Sequence, residues 1–191
     1  MLLLFLSVCL VLTSSFFIAN IFDSKNIVNN IICFILSAFA NVVITFEFLS
    51  LFSGISKVNV IIVNIVFALL TAILWRLKKY PILRPDFKAI AKDYIAAIKL
   101  DKTIALLSIG FLFVCITSLF LILIMQGIDV DSSTYRVVRA LFWVENGNLN
   151  HVYAADPRML MFPINSEILY SWFILFINSD LWLFVFNFCG V

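Results

Sequence analysis

The chain reads as an all-α protein that crosses a membrane several times, and three observations predict it. Hydrophobic residues fill 64% of the 191 positions and charged residues 13%, where soluble chains sit nearer half and a quarter. One core cannot take that much apolar surface out of water. The apolar stretches are continuous and lack period-two alternation, which argues against a transmembrane β-barrel. Phe supplies 21 residues while Gly and Pro supply 5 and 4, a balance that favours helices.

The first span runs from about Leu2 to Phe22. It lacks the basic start and small-residue cleavage site of a signal peptide, so it stays as a span. Asp23-Ser24-Lys25-Asn26 is a polar turn. The second span runs from about Ile27 to Phe52 and stops at Ser53-Gly54. The third runs from about Val58 to Trp75, with Trp75 at a membrane–water interface. Each is close to the ~20 residues a helix needs to cross the hydrocarbon.

Eight of the 13 Lys and Arg fall between Arg76 and Lys102. That excess places the connector 76–102 on the cytoplasmic side. Pro85 is suited to the first turn of a short helix. Phe87, Ile90, Tyr94 and Ile98 recur at helical spacing, with Lys88, Lys92 and Lys99 on another face. The pattern fits a helix on the inner leaflet with lysines near anionic headgroups, or a solvated basic loop. The fourth span runs from about Thr103 to Met125, so residues 1–126 hold four spans and the loop 127–163 emerges outside. Within that loop Ser133 to Glu145 can form a helix with Val137, Val138, Leu141 and Phe142 toward lipid or protein. Asn146-Gly147-Asn148 breaks it, Gly147 being the stop. A fifth span runs from about Ile164 to Ile177, and a sixth begins at Leu181 and breaks off at Val191. The expectation is an N-terminal piece of a longer protein. Cys9, Cys33, Cys115 and Cys189 lie inside apolar runs at no metal or redox spacing, and read as small buried hydrophobes.

Chemistry concentrates in the loop. Asp129 and Asp131 form an Asp-x-Asp pair beside the membrane. Such a pair can hold a divalent cation or act as a general base, or Asp131 can simply cap the following helix. Arg136, Arg139 and Arg158 are basic residues on the external side, against the usual preference. A phosphate ligand would account for them, as would salt bridges to neighbouring carboxylates. His151 is the only histidine. Trp143 and Tyr153 can stack on a sugar or sit in the interfacial belt. Glu47 lies within the second span and Glu167 opens the fifth. Both should face a protein or aqueous interior near the same membrane face. Asn20, Asn41 and Asn64 read as interhelical hydrogen bonders.

The run Asp131-Ser132-Ser133-Thr134-Tyr135-Arg136-Val137-Val138-Arg139, then Trp143, Asn146-Gly147, His151-Val152-Tyr153, Arg158, Pro163 and Glu167, resembles bacterial polytopic glycosyltransferases of the GT-C type. Upstream, Glu47-Phe48-Leu49-Ser50-Leu51-Phe52 resembles a similar run in that group. Arg136 stands where the pattern has His, Val138 where it has Pro, and Phe162-Pro163 where it has Pro-Pro. The likeness covers about 40 of the 191 residues. It implies a multi-pass protein of the bacterial inner membrane that takes a monosaccharide from a polyprenyl-phosphate carrier. The sugar would pass to a lipid, glycan or protein acceptor at the external face. It implies Asp131 as catalytic carboxylate, with Asp129 second. Arg158, Arg139, Arg136, Tyr135, His151, Tyr153, Trp143, Glu47 and Glu167 would surround the substrate, and a divalent metal on Asp129 and Asp131 stays open. The expected partners are the lipid-linked sugar and membrane lipids, with no nucleic acid. A transporter or flippase-like protein, or a noncatalytic subunit handling lipid-linked glycans, is the alternative, and the fragment alone is expected to be inactive.

Overall fold

The structure, a computed structural model, describes residues 1–22, 27–78, 87–125, 135–151 and 164–177. Among these residues the chain forms helices and no strands. They are α1 (Leu2–Ile21), α2 (Ile27–Ser50), α3 (Lys57–Lys78), α4 (Phe87–Leu100), α5 (Lys102–Met125), α6 (Val137–Asn146) and α7 (Asn165–Ile177). Four of them, α1, α2, α3 and α5, are long and apolar enough to cross a membrane. Their bounds fall within three residues of the expected spans. The fifth expected span is represented by α7, an apolar helix of 13 residues, about 20 Å long at 1.5 Å per residue. The expected sixth span and the turn at Asp23 lie outside the described residues.

The helices form two compact units, one holding α1, α2, α3, α6 and α7, the other α4 and α5. In the first, α1 packs on both α2 and α3, α6 packs on α7, and α7 packs on α1 and α2. α1 turns one narrow face inward: Ser7, Val11, Ser14, Ser15 and Ala19 are buried while Leu2, Phe5, Leu6, Leu12 and Phe16 point out. The inward spacing of three and four residues is one helical stripe. Small side chains on it let neighbouring backbones come close, which is how helices associate where lipid removes the hydrophobic drive.

An apolar cluster that includes Val42, Phe46, Val60, Ile168 and Trp172 forms the core of this unit, and the polar groups buried with it bond to one another. Asn41 Nδ2 donates to Ser14 Oγ at 2.6 Å, and Asn64 Nδ2 donates to Ser7 Oγ at 2.9 Å. Thr45 Oγ1 reaches Asn41 Oδ1 at 3.2 Å and Asn64 Oδ1 at 3.3 Å. Trp172 Nε1 donates to Ser7 Oγ at 3.0 Å, which extends the network from α1–α3 to α7. Asn41 and Asn64 thus bridge helices as expected. The amide of Asn20 donates to Phe16 O, one turn back in α1, at 2.7 Å. Trp75 stacks on Phe17 of α1 with ring centroids 5.4 Å apart. Cys9, Cys33 and Cys115 are free thiols, half-buried in their helices.

The turn from α2 to α3 is fixed by its own backbone. Gly54 N–H bonds Leu49 O at 2.9 Å and Ser53 N–H bonds Ser50 O at 3.1 Å. This is a Schellman stop, with Ser53 at the left-handed position (φ 48) that glycine usually fills. Ser56 Oγ then accepts Asn59 N–H at 3.3 Å and caps α3.

In the second unit, Asp101 joins α4 to α5. Its Oδ1 accepts Thr103 N–H at 2.7 Å, capping α5, and these hydrogen bonds hold its carboxyl below the usual aspartate range. Tyr94 OH and Ser108 Oγ, seven residues either side of Asp101, meet at 2.6 Å. At 1.5 Å rise both Cα atoms are about 10 Å from the corner, closer to each other than a straight continuation would leave them, so the chain bends sharply between the two helices.

Candidate functional site

The site is organised by α6 and the loop that follows it. Two residues in a π-type turn, Tyr135 and Arg136, lead into α6. Arg139 and Trp143 are four residues apart, one above the other on the same helical face. That face is buried: Arg139, Ala140 and Trp143 are each at most 3% exposed. Leu141 and Phe142, expected toward lipid or protein, are partly exposed. The helix therefore packs through its Arg–Ala–Trp face. The expectation tracked the aliphatic residues, whereas small Ala140 lets α6 sit against α7, where Ser171 Oγ reaches Ala140 O at 3.4 Å. Arg139 lies 5.7 Å from the Trp143 ring centroid, within cation–π range.

Gly147 ends α6 in the left-handed conformation (φ 69), as the sequence suggested. It also touches a segment more than ninety residues away. Ile55 N–H donates to Gly147 O at 2.9 Å. Leu149 N–H donates to Ser50 Oγ at 2.7 Å, and Asn148 Nδ2 to Ser53 Oγ at 3.3 Å. Ser50, the last residue of α2, and the turn after it are thereby brought against residues 147–149. Trp143 Nε1 donates to Asn150 O at 3.2 Å and closes the loop over the helix.

Between helix and loop lies a cavity of about 120 Å³ lined by Arg139, Phe142, Trp143, Leu149, Asn150, His151 and Ile164. Three residues singled out from the sequence, Arg139, Trp143 and His151, share it. Arg139 and Trp143 are its buried wall and His151 is exposed. The backbone carbonyl of Asn150 and the side chains of Leu149 and Ile164 were not foreseen. The only advance signal was the turn chemistry of Asn146-Gly147-Asn148, which marks a loop without saying where it docks.

A second cluster adjoins the first. Tyr135 and Tyr170 are buried, and Glu167, at the start of α7, is 1% exposed. Arg136 Nε donates to Tyr135 OH at 3.3 Å. That bond outweighs the opposing desolvation of partial burial and raises the Arg136 pKa above its ordinary value. Ser166 Oγ donates to Glu167 Oε2 at 2.9 Å. Glu167 thus faces a protein interior, as expected, on the Arg136 side. Glu47 is exposed on α2 and does not line the cavity.

Asp129, Asp131, Tyr153 and Arg158 lie outside the described residues, and with them the metal expectation on Asp129 and Asp131. Among the described residues no three His, Cys, Asp or Glu side chains converge. Comparison with protein-family models, with curated proteins and with solved structures returned no match.

Proposed function

We propose that this protein moves a monosaccharide from a polyprenyl-phosphate donor to a lipid, glycan or protein acceptor at the outer face of the membrane. The observation that supports the reading is the meeting of Arg139, Trp143 and His151 at one cavity beside the α2–α3 turn. At about 120 Å³ the cavity is well under the ~300–1,000 Å³ of sites that enclose a drug-sized ligand. It suits a phosphate group whose isoprenoid tail stays in lipid. A guanidinium there would meet charge that grows on the departing phosphate.

In the proposed reaction Asp131 takes the proton of the acceptor hydroxyl. The hydroxyl oxygen attacks the anomeric carbon, and the bond from that carbon to the phosphate oxygen breaks. Polyprenyl phosphate leaves with one more negative charge, which Arg139 and Arg158 receive. His151 and Trp143 then border the sugar side.

The test uses the full chain in nanodiscs. Native mass spectrometry reads retention of polyprenyl phosphate against polyprenol, which lacks the phosphate. Wild type should prefer the phosphate, and Arg139→Gln should weaken that preference roughly ten- to a hundredfold, the ~1.5–3 kcal/mol of a hydrogen bond to a charged group. Arg139→Lys should keep part of it. Equal retention by wild type and R139Q would remove the cavity as the phosphate site. Transfer is assayed in the full-length protein, where Asp131→Asn should bind normally and lose it. Normal transfer by that variant sinks Asp131 as the base, and binding without transfer by the full-length wild type favours the carrier or noncatalytic alternative.

A further inference from the structure

We infer that α4 is an interfacial helix whose lysine edge grips an anionic lipid surface. The inference is independent of the catalytic reading. At 100° per residue Lys88, Lys92 and Lys99 fall within about 40° of arc, and Ile95 borders them about 20° away. All four are exposed, Ile95 by 52%. Asp93, the acidic residue of the helix, lies on the far side, about 160° from Ile95. Charge is therefore sorted around the helix, cationic on one edge and anionic on the other.

The fold orients that edge. Tyr94 is held to Ser108 of α5 at 2.6 Å, so the Tyr94–Ile98 side of α4 leans on α5. α5 is apolar enough to cross a membrane. A helix bent away from the end of a membrane span lies at the hydrocarbon boundary, where water alone is a poor solvent for Ile95. Lysine suits this place, because its stem lies along apolar surface while its ammonium reaches headgroup phosphates. Three lysines on one edge complement a surface of phosphodiesters better than a neutral one.

The test places a bimane label on single cysteines in the full chain, with Cys9, Cys33, Cys115 and Cys189 replaced by alanine. The chain is reconstituted in vesicles of phosphatidylcholine with three-tenths phosphatidylglycerol, and one lipid at a time carries bromine. Brominated phosphatidylglycerol should quench the label at Ile95→Cys strongly and at Asp93→Cys little. Bromine on phosphatidylcholine should quench Ile95→Cys less than its share of the bilayer allows. The triple variant K88Q/K92Q/K99Q should lose the phosphatidylglycerol preference, on the order of fivefold per lysine, while the triple arginine variant keeps it. Equal quenching at positions 93 and 95 overturns the proposal and leaves α4 a solvated basic helix. A phosphatidylglycerol preference that survives in the glutamine variant overturns the role of the lysines.

Discussion

Gly147 and Ser53 show how much rests on single backbone positions where the end of α6 meets the α2–α3 turn. Both are left-handed, at φ 69 and φ 48, and they touch each other. A Cβ on Gly147 would stand 3.0 Å from the Ser53 carbonyl oxygen. Gly147→Ala should therefore add the ~1–2 kcal/mol of a left-handed L-residue to the cost of pushing the α2–α3 turn away. We expect a loss of about 2 kcal/mol and a lower unfolding temperature in micelles; an unchanged midpoint would contradict the contact. Ser53→Gly should act in the opposite sense, a gain of up to ~1 kcal/mol reduced by loss of the long Asn148 bond, while Ser53→Ala keeps the strain and loses the bond. The stop at Gly147 was legible because the local residues demand it. Its docking on Ser53 and Ile55 was not, because nothing near Gly147 in sequence names a partner more than ninety residues away. Arg139, Trp143 and His151 were legible as residue types worth noting, and their convergence became visible only in three dimensions.

At the scale of elements, the four long helices were legible almost to the residue, since length and apolar content decide them in lipid. The inward face of α6 was not. Its aliphatic residues outnumber its buried ones, and Ala140 and Ser171 decide the packing through size rather than hydropathy. Asn41 and Asn64 were legible as interhelical donors because amides inside spans need partners. Asn64→Leu removes the bonds to Ser7 and Thr45 at once. Interhelical hydrogen bonds in membranes average ~0.6 kcal/mol each, so a loss of about 1–2 kcal/mol is expected. Trp172→Phe removes one bond to Ser7 and should cost about half as much. In a double-mutant cycle the two should be coupled through Ser7; strict additivity would show that the network is not continuous. Asp101 gives a pH dependence of known sign. Its folded pKa is depressed, so the cap on α5 is present above the ordinary aspartate pKa and is lost as pH falls through the folded value. Asp101→Asn should cap α5 without that dependence, and Asp101→Ala should leave the start of α5 frayed at every pH in hydrogen exchange.

For the whole molecule, the α1–α3, α6 and α7 unit pairs an apolar exterior with a core in which polar side chains sit among apolar ones. Ser7, Ser14, Ser15, Asn20, Thr45, Asn64 and Glu167 are as deeply buried as Phe46, Val60 and Ile168. Many leucines, isoleucines and phenylalanines of α1–α3 are exposed. In lipid those outer residues meet a solvent as apolar as themselves, and the inner polar ones find each other. The arrangement predicts a particular pattern of mutational sensitivity. Ile62→Ala and Leu69→Ala trim residues that are 52% and 58% exposed. Lipid chains fill the space left and no water is admitted, so each should change stability by no more than ~0.5 kcal/mol. Ser7→Leu enlarges a residue with no exposed surface and removes the acceptor for both Asn64 and Trp172. Overpacking alone costs ~1–3 kcal/mol, and two stranded donors add to it, so the expected loss is about 3 kcal/mol or more. Thermal unfolding of the three variants in one detergent, with reconstitution into nanodiscs as a second medium, checks the order. Greater sensitivity at Ile62 and Leu69 than at Ser7 in both media would mean that these faces are covered by protein rather than by lipid.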